Sequence, residues 1–305
     1  MNEQTTTEGD GAIFVLGLQR SGTTWLANMI VGSGVVAAVT APEHQGVHES
    51  VFFSHFARAF GEFANPTARA DFEEALAQSD YFLLTGLPRA FLRDTVATAQ
   101  DYAEVFERLM RRVMVDQGSR RWLEKSPHHT LLAAELAARY PKAQFICVAR
   151  RSETLLASRL AAYGRIPSRG MKRLGDLLRG ALVNALYTRH LTGFAKGNPQ
   201  VLMMRYDDFA KDIEPGRAAL IDFLRLPVAP TALHSAFAAN SSHAIDGKTR
   251  MLSAVDRLMI RLGDGLGAVL PLALLTAIEA RRRKRRGTDW PDWVWQKSGW
   301  RPPLV

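Results

Sequence analysis

Apolar and polar positions along the chain fall into a recurring unit, a short aliphatic run that breaks into a polar turn and resumes as a helix. The first unit is Ile13-Phe-Val-Leu-Gly17, then a polar loop between Gly17 and Gly22, then a helix that begins at Thr23 and Thr24. Val35 to Thr40 has the β-branched and alanine character of a buried strand, so the opening reads strand, loop, helix, strand and predicts a parallel sheet. Ala41 to Ser50 is a polar loop dense in His and Glu, ahead of an aromatic helix around Phe52, Phe53, Phe56 and Phe60. From Ala64 to Ala99 the pattern predicts only short helical pieces and turns. Tyr102, Val105, Phe106, Leu109, Met110, Val113 and Met114 then share one helical face, as a core-packing helix does.

Trp122 to Thr130 reads as a strand end that turns at Pro127 into a helix over Leu131 to Arg139. Gln144 to Ala149 is a further buried strand, running through Arg150-Arg-Ser-Glu-Thr154 into a helix that contains Ser158. Gly164 to Gly180 is rich in Gly and Arg and reads as a mobile basic segment over the site, with an ordinary solvated loop as the plain alternative. Gln200 to Arg205 is a strand that leads into Tyr206-Asp-Asp-Phe209, and Ile213 to Leu224 is a helix. Asn240 to Arg250 is a polar loop, and Leu266 to Ala280 is an apolar helix-like stretch that contains Gly267 and Pro271.

Length narrows this picture to one α/β domain, and with the Gly17–Gly22 loop after the first strand it reads as a P-loop-type parallel sheet flanked by helices with a helical C-terminal extension. A chain of 305 residues buries a full core. The expected division is a loose polar tail over 1–10, the α/β domain over 11–262, and a basic, Trp-rich helical extension over 263–305 packed on the same domain. The single Cys147 lies in an apolar run, which excludes a disulfide framework and a cysteine zinc cluster. The first ten residues have neither a basic nor an apolar leader region, so the expected location is cytoplasmic. Of the net charge of +9, the run Arg281-Arg-Arg-Lys-Arg-Arg286 supplies six, which leaves only +3 for the rest. Such local basicity suits an anionic membrane surface better than nucleic acid, with a solvated helix end as the plain alternative. The stretch from Leu266 to Ala280 is shorter than the roughly 20 apolar residues that a bilayer crossing needs. Four of the six tryptophans, Trp290, Trp293, Trp295 and Trp300, follow the basic run. They fit either a peripheral membrane contact or a tail packed across the domain.

The chemistry concentrates at the polar turns. Gly17 to Gly22 has the G-x-x-x-x-G spacing of a phosphate loop, whose backbone N–H groups and helix N-terminus cradle an anion. Thr23 and Thr24 stand where a nucleoside triphosphatase carries Lys and Ser or Thr, so the loop suits an anion better than metal-bound ATP. Loops after strand C-termini carry the ligand sites of α/β sheets, and this puts Glu43, His44, His48 and Glu49 on the edge where the phosphate loop sits.

Four segments in this order resemble the sulfotransferases that use 3′-phosphoadenosine 5′-phosphosulfate (PAPS), in the branch that includes tyrosylprotein sulfotransferases and many bacterial enzymes. They are Gly17-Leu-Gln-Arg-Ser-Gly-Thr-Thr-Trp25, Glu124-Lys-Ser-Pro127, Val148 to Ser158 and Val201 to Phe209. The resemblance spans roughly the first 250 residues and implies PAPS as co-substrate, no metal, and sulfuryl transfer to a hydroxyl. It implies that Arg20, Ser21, Gly22, Thr23, Thr24 and Trp25 hold the 5′-phosphosulfate. Arg150 and Ser158, eight residues apart, would grip the 3′-phosphate. The family usually has Asp after this arginine, and Arg151 here leaves two arginines to choose between. Tyr206, Ser242 and Lys248 would lie near the nucleotide, although Lys248 is one residue further from Ser242 than the family spacing.

Lys125 is the implied catalytic cation. For the base, Glu49 matches an E-x-x-F-F run, Glu43 is nearer the usual distance from the loop, and His128 lies close to the lysine. The acceptor expectation is a small-molecule, carbohydrate or lipid-linked hydroxyl. The competing readings are a P-loop kinase or other ATP-dependent phosphotransferase, against which the missing lysine counts, and a non-catalytic membrane or polyanion binder.

Overall fold

A computed structural model of the protein describes residues 11–41, 43, 46–163, 170–236, 252–285 and 290–301. The chain opens with strand β1 (Ile13–Gly17), buried along its whole length, and helix α1 (Thr23–Gly32). The expected second strand is short. Strand β2 (Val36–Ala37) joins the main sheet, and Thr40–Ala41 (β3) pairs instead with Gly46–Val47 (β4) in a small antiparallel hairpin. A π turn over Phe52–Phe56 and one helical turn, α2 (Ala57–Ala59), follow.

The region predicted as short pieces holds three helices, α3 (Pro66–Ala77), α4 (Asp80–Thr85) and α5 (Arg89–Thr98). Asn65 and Ser79 cap the first two with side-chain oxygens, a local signal that does not depend on an apolar stripe. Helix α6 (Tyr102–Asp116) buries the predicted face, and strand β5 (Arg121–Lys125) follows. Pro127–Leu132 is a 3₁₀ segment that leads into α7 (Ala133–Arg139). Strand β6 (Gln144–Ala149), helix α8 (Ser152–Tyr163), α9 (Gly170–Ala195), strand β7 (Val201–Arg205), α10 (Tyr206–Lys211) and α11 (Ile213–Leu224) complete the α/β unit.

Five strands form a fully parallel sheet in the order β2-β5-β1-β6-β7. Val15 pairs with Lys125 on one side and with Ile146 on the other, while Gly17 pairs with Val148 and Ala149 with Arg205. The C-terminal ends of β1, β5, β6 and β7 therefore lie along one edge, the ligand edge of an open α/β sheet. Alternate β1 side chains enter different cores. Phe14 stacks on Phe145 at 5.4 Å within an aromatic layer that includes Phe53 and Trp122, while Ile13 and Val15 pack against Leu26 and Ile30 of α1.

Two further expectations change. Residues 170–180, read as a mobile segment or a loop, are the first turns of the 26-residue α9, and 164–169 lie outside the described residues. Leu266 to Ala280 is two helices, α12 (Ala254–Val269) and α13 (Ala273–Arg285), parted at Pro271 because proline cannot donate a helical hydrogen bond. The expected boundary at residue 262 falls inside α12. That helix lies on α9 so closely that a Cβ on Gly263 would sit 2.3 Å from the Leu178 carbonyl oxygen.

The C-terminal tryptophans turn inward. Trp295 is buried and donates to the Ala75 carbonyl at 2.8 Å, and its ring meets Trp290 at 4.6 Å and Trp300 at 4.8 Å. What α12 exposes instead is a stripe of Val255, Leu258, Leu262, Leu266 and Val269. Among the described residues no helix is long and apolar enough to cross a membrane.

Candidate active site

The phosphate loop leaves the centre of the sheet and is pinned at its base. Thr130 Oγ1 accepts from Gly17 N–H at 3.0 Å and donates to Gly17 O at 2.8 Å. The loop closes with Ser21 N–H on Leu18 O at 2.9 Å, and Arg20 takes φ +75°. Gly22 takes φ +100°, and a Cβ there would meet the Tyr206 ring at 2.0 Å, so only glycine fits. No side chain caps α1, which leaves its first-turn N–H groups for a ligand. Ser21 is buried, and among the described residues its hydroxyl has no hydrogen-bond partner. An unpartnered buried hydroxyl beside an uncapped helix N-terminus fits a phosphate or sulfate ester. Trp25 packs under the loop, 5.6 Å from Tyr206 and 5.1 Å from Phe209.

Arg20 of the loop, Ser158 of α8 and Arg150 at the end of β6 meet here. The Arg20 guanidinium reaches Ser158 Oγ of α8 at 3.3 Å. Arg150, at the end of β6, donates to Arg20 O at 3.0 Å and Thr154 Oγ1 at 3.2 Å, and stacks 4.4 Å over Tyr206. Burial pulls the Arg150 guanidinium below its ordinary range, with Tyr206 and Asp207 opposing that shift. Arg151 diverges: its side chain is 66% exposed and lies 3.6 Å from Asp207. Of the two arginines, Arg150 is therefore the one that faces the loop. Asn184 was not anticipated from sequence; it donates to Arg150 O and Ser152 Oγ, both at 2.9 Å, and fixes the turn from α9. Ser242 and Lys248 lie outside the described residues, as does His44.

Lys125 ends β5 with a side chain only 2% exposed, and its Nζ meets Glu49 Oε1 at 2.8 Å. The two expected alternatives to Glu49 are engaged elsewhere. Glu43 pairs with Lys297 of the C-terminal segment. His128 Nε2 lies 3.1 Å from the Gln19 amide of the phosphate loop, with its ring 5.3 Å from His55. His48 is buried against Trp293 at 5.2 Å. Glu124, the neighbour of Lys125, is buried in the opposite direction, and burial pushes its carboxyl up to about 7, with Ser126 and Ser50 hydrogen bonds acting against that rise. A charged residue inside the otherwise buried Arg121-Trp-Leu-Glu-Lys125 was the available signal for it. Cys147 is inert by position, its thiol pushed up to about 12 by burial. Among the described residues, no group of three or more His, Cys, Asp or Glu could hold a metal ion.

The strand order and the uncapped, glycine-bounded loop define an α/β protein of the P-loop class. Residues 12–230 match the family model described as the sulfotransferase family, and the chain belongs to that family. It is a transferase enzyme. Solved structures similar to it include the sulfotransferase domain from the curacin biosynthetic pathway, at 16% identity over 93% of this chain and 100% of that one, with a TM-score of 0.47. The sulfotransferase domain of the Synechococcus PCC 7002 olefin synthase is 16% identical over 95% and 100% of the chains, with a TM-score of 0.47. A sulfotransferase from Alicyclobacillus acidocaldarius is 15% identical over 93% and 98%, with a TM-score of 0.45. No curated protein sequence matches the chain significantly.

Proposed function

We propose that this sulfotransferase moves the sulfuryl group of PAPS to a hydroxyl of a small-molecule, carbohydrate or lipid-linked acceptor, with Lys125 and Glu49 as the catalytic pair. The observation that carries the reading is the 2.8 Å contact of Lys125 Nζ with Glu49 Oε1 on the sheet edge that also bears the phosphate loop. In this reading the loop N–H groups and the Arg20, Ser21, Thr23 and Thr24 side chains bind the 5′-phosphosulfate above Gly22 and Trp25. Arg150 and Ser158 bind the 3′-phosphate with Arg20 between them, and Tyr206 supports Arg150 from below. Ser242 and Lys248 retain a proposed place near the nucleotide on the motif resemblance alone.

Transfer breaks the bond from sulfur to the phosphate oxygen and forms one to the acceptor oxygen. Negative charge grows on the leaving phosphate while the acceptor hydroxyl gives up its proton. Lys125 supplies positive charge on the leaving side, and Glu49 accepts the proton. Glu43 and His128 are less favoured as bases because one is held by Lys297 and the other by Gln19. The kinase reading is not favoured, since no loop lysine is present to reach β and γ phosphates.

Thermal unfolding separates the readings. Adenosine 3′,5′-bisphosphate in EDTA, at a hundredfold excess over its Kd, is expected to raise Tm by about 5 °C or more. Mg-ATP is expected to give no such shift. Stabilisation by Mg-ATP alone overturns the assignment.

A peripheral contact with an anionic membrane surface is the second part of the partner reading. Its support is the α12 stripe from Val255 to Val269, flanked by exposed Arg257 and Arg261 and followed by the basic run at the end of α13. The tryptophans do not support it, because they pack into the domain.

A further inference from the structure

The turn that follows Glu49 is strained. Val51 takes φ +44°, a left-handed conformation that a β-branched residue adopts only when its surroundings impose it. Three successive backbone donors are fastened there. Val51 N–H donates to Ser126 Oγ at 3.2 Å, Phe52 N–H to Ser50 Oγ at 3.1 Å, and Phe53 N–H to His129 Nε2 at 3.2 Å.

The two serine acceptors turn their own hydrogens toward one carboxylate, and the histidine lies beside it. Ser50 Oγ donates to Glu124 Oε1 at 2.7 Å, Ser126 Oγ donates to the same oxygen at 2.5 Å, and His129 Nδ1 lies 3.4 Å from it. Because His129 Nε2 accepts the Phe53 N–H, the neutral ring carries its proton on Nδ1, the nitrogen that faces Glu124. The Tyr81 hydroxyl donates to Glu124 Oε2 at 3.3 Å. Ser50, Glu124, Ser126 and His129 are all buried, so water does not substitute for these bonds.

We propose that Glu124 is a positioning residue: through Ser50 and Ser126 its carboxylate holds the strained Val51–Phe53 turn and thereby keeps Glu49 on Lys125. The catalytic consequence rests on the reading of Glu49 as the base, whereas the control of the turn does not. An ionised carboxylate accepts from Ser50, Ser126 and Tyr81, but a protonated one must place its own hydrogen against groups that already donate. Burial raises this carboxyl to about 7 and the nearby Glu49 charge adds to the rise, while Lys125 opposes it. The titratable groups around it are Lys125 and Glu49 on the site side, Tyr81 from α4, His129 from the 3₁₀ segment and Tyr140 at the end of α7. The turn is therefore held above about pH 7 and loosens progressively as pH falls through that value.

The test uses the full chain as wild type, Glu124→Gln and Ser50→Ala. Amide exchange at Val51, Phe52 and Phe53 is followed by NMR as a function of pH, crystal structures report the Glu49–Lys125 contact, and titration gives the affinity for adenosine 3′,5′-bisphosphate. Both variants are expected to exchange these amides on the order of tenfold faster, as loss of one buried hydrogen bond implies, and to lose the contact. Nucleotide affinity stays within about twofold, because the phosphate loop makes none of these bonds. Wild-type protection, corrected for intrinsic exchange, falls with protonation of Glu124, and Glu124→Gln abolishes that dependence, a signature that simple packing would not give. Wild-type exchange and an intact contact in Ser50→Ala overturn the proposal, even where Glu124→Gln does not fold. Release of adenosine 3′,5′-bisphosphate from PAPS by Glu49→Gln keeps the two readings apart. A wild-type rate there removes Glu49 as the base and leaves the exchange data to decide the turn. A dead Glu49→Gln beside unperturbed Glu124→Gln and Ser50→Ala removes only the present inference.

Discussion

Adjacent arginines at the end of β6 illustrate how one residue step decides a role. Successive side chains on an extended segment point to opposite sides, so Arg150 turns to the phosphate loop and over Tyr206 while Arg151 turns out toward Asp207. Arg150→Ala is expected to weaken adenosine 3′,5′-bisphosphate binding by about 10–100-fold, the loss of a charge-assisted contact to a phosphate. Arg151→Ala is expected to change it by less than about threefold, as for an exposed ion pair. Calorimetric titration of both proteins checks this, and equal losses would return the second arginine to the site. The doublet was legible in sequence as a pair; the choice within it was not.

Helix α12 shows what an element records in its own sequence. Ser253 and Asp256 form a capping box, with Asp256 N–H on Ser253 Oγ at 3.1 Å and Ser253 N–H on Asp256 Oδ2 at 2.9 Å. Asp256 also takes a two-point hydrogen bond from Arg173 of α9, at 3.0 and 2.8 Å. Those Arg173 bonds, with the Ser253 donors and against burial, hold the carboxyl at about 2. Because the folded pKa is depressed, the stabilisation is complete above the ordinary value of 3.8 and is lost as pH falls from there through about 2. Asp256→Asn is expected to cost about 2 kcal/mol at pH 7, and its deficit relative to wild type is expected to shrink below about pH 4. Denaturant unfolding at both pH values measures this; a deficit independent of pH would assign the effect to the cap alone. The start of α9 reads in sequence as a mobile basic segment or a loop because its glycines lower helix propensity, whereas contact with α8 and α12 is what makes it helical.

At the scale of the molecule, the C-terminal segment bends back over the domain. Asp80 N–H donates to Val294 O at 2.8 Å, Lys297 N–H donates to Asp80 Oδ1 at 2.8 Å, and Lys297 pairs with Glu43. This wraps the tryptophans around Phe56 and leaves the α12 stripe as the apolar face turned to solvent. Cosedimentation with phosphatidylserine vesicles is expected to retain the protein, and Leu262→Glu with Leu266→Glu to lower retention by about tenfold. Equal retention of both proteins, or binding to neutral phosphatidylcholine alone, would remove the membrane reading.

By itself the sequence determined the parallel sheet, the glycine-bounded loop after its first strand and the presence of polar residues at the strand ends beside it. These are local properties: apolar runs of strand length, a glycine spacing and a helix start are written in consecutive residues. Tertiary structure alone decided which of those residues meet. Glu49 rather than Glu43 reaches Lys125 because the turn at Val51 redirects the chain, and that turn is fastened by partners about 75 residues away. Glu124 was legible as one letter of a motif, but its burial among three donors from three parts of the chain, Ser50, Tyr81 and Ser126, arises only when β5 lies beneath that turn. A carboxylate acquires such a role from what surrounds it in space, and no spacing along the chain encodes that.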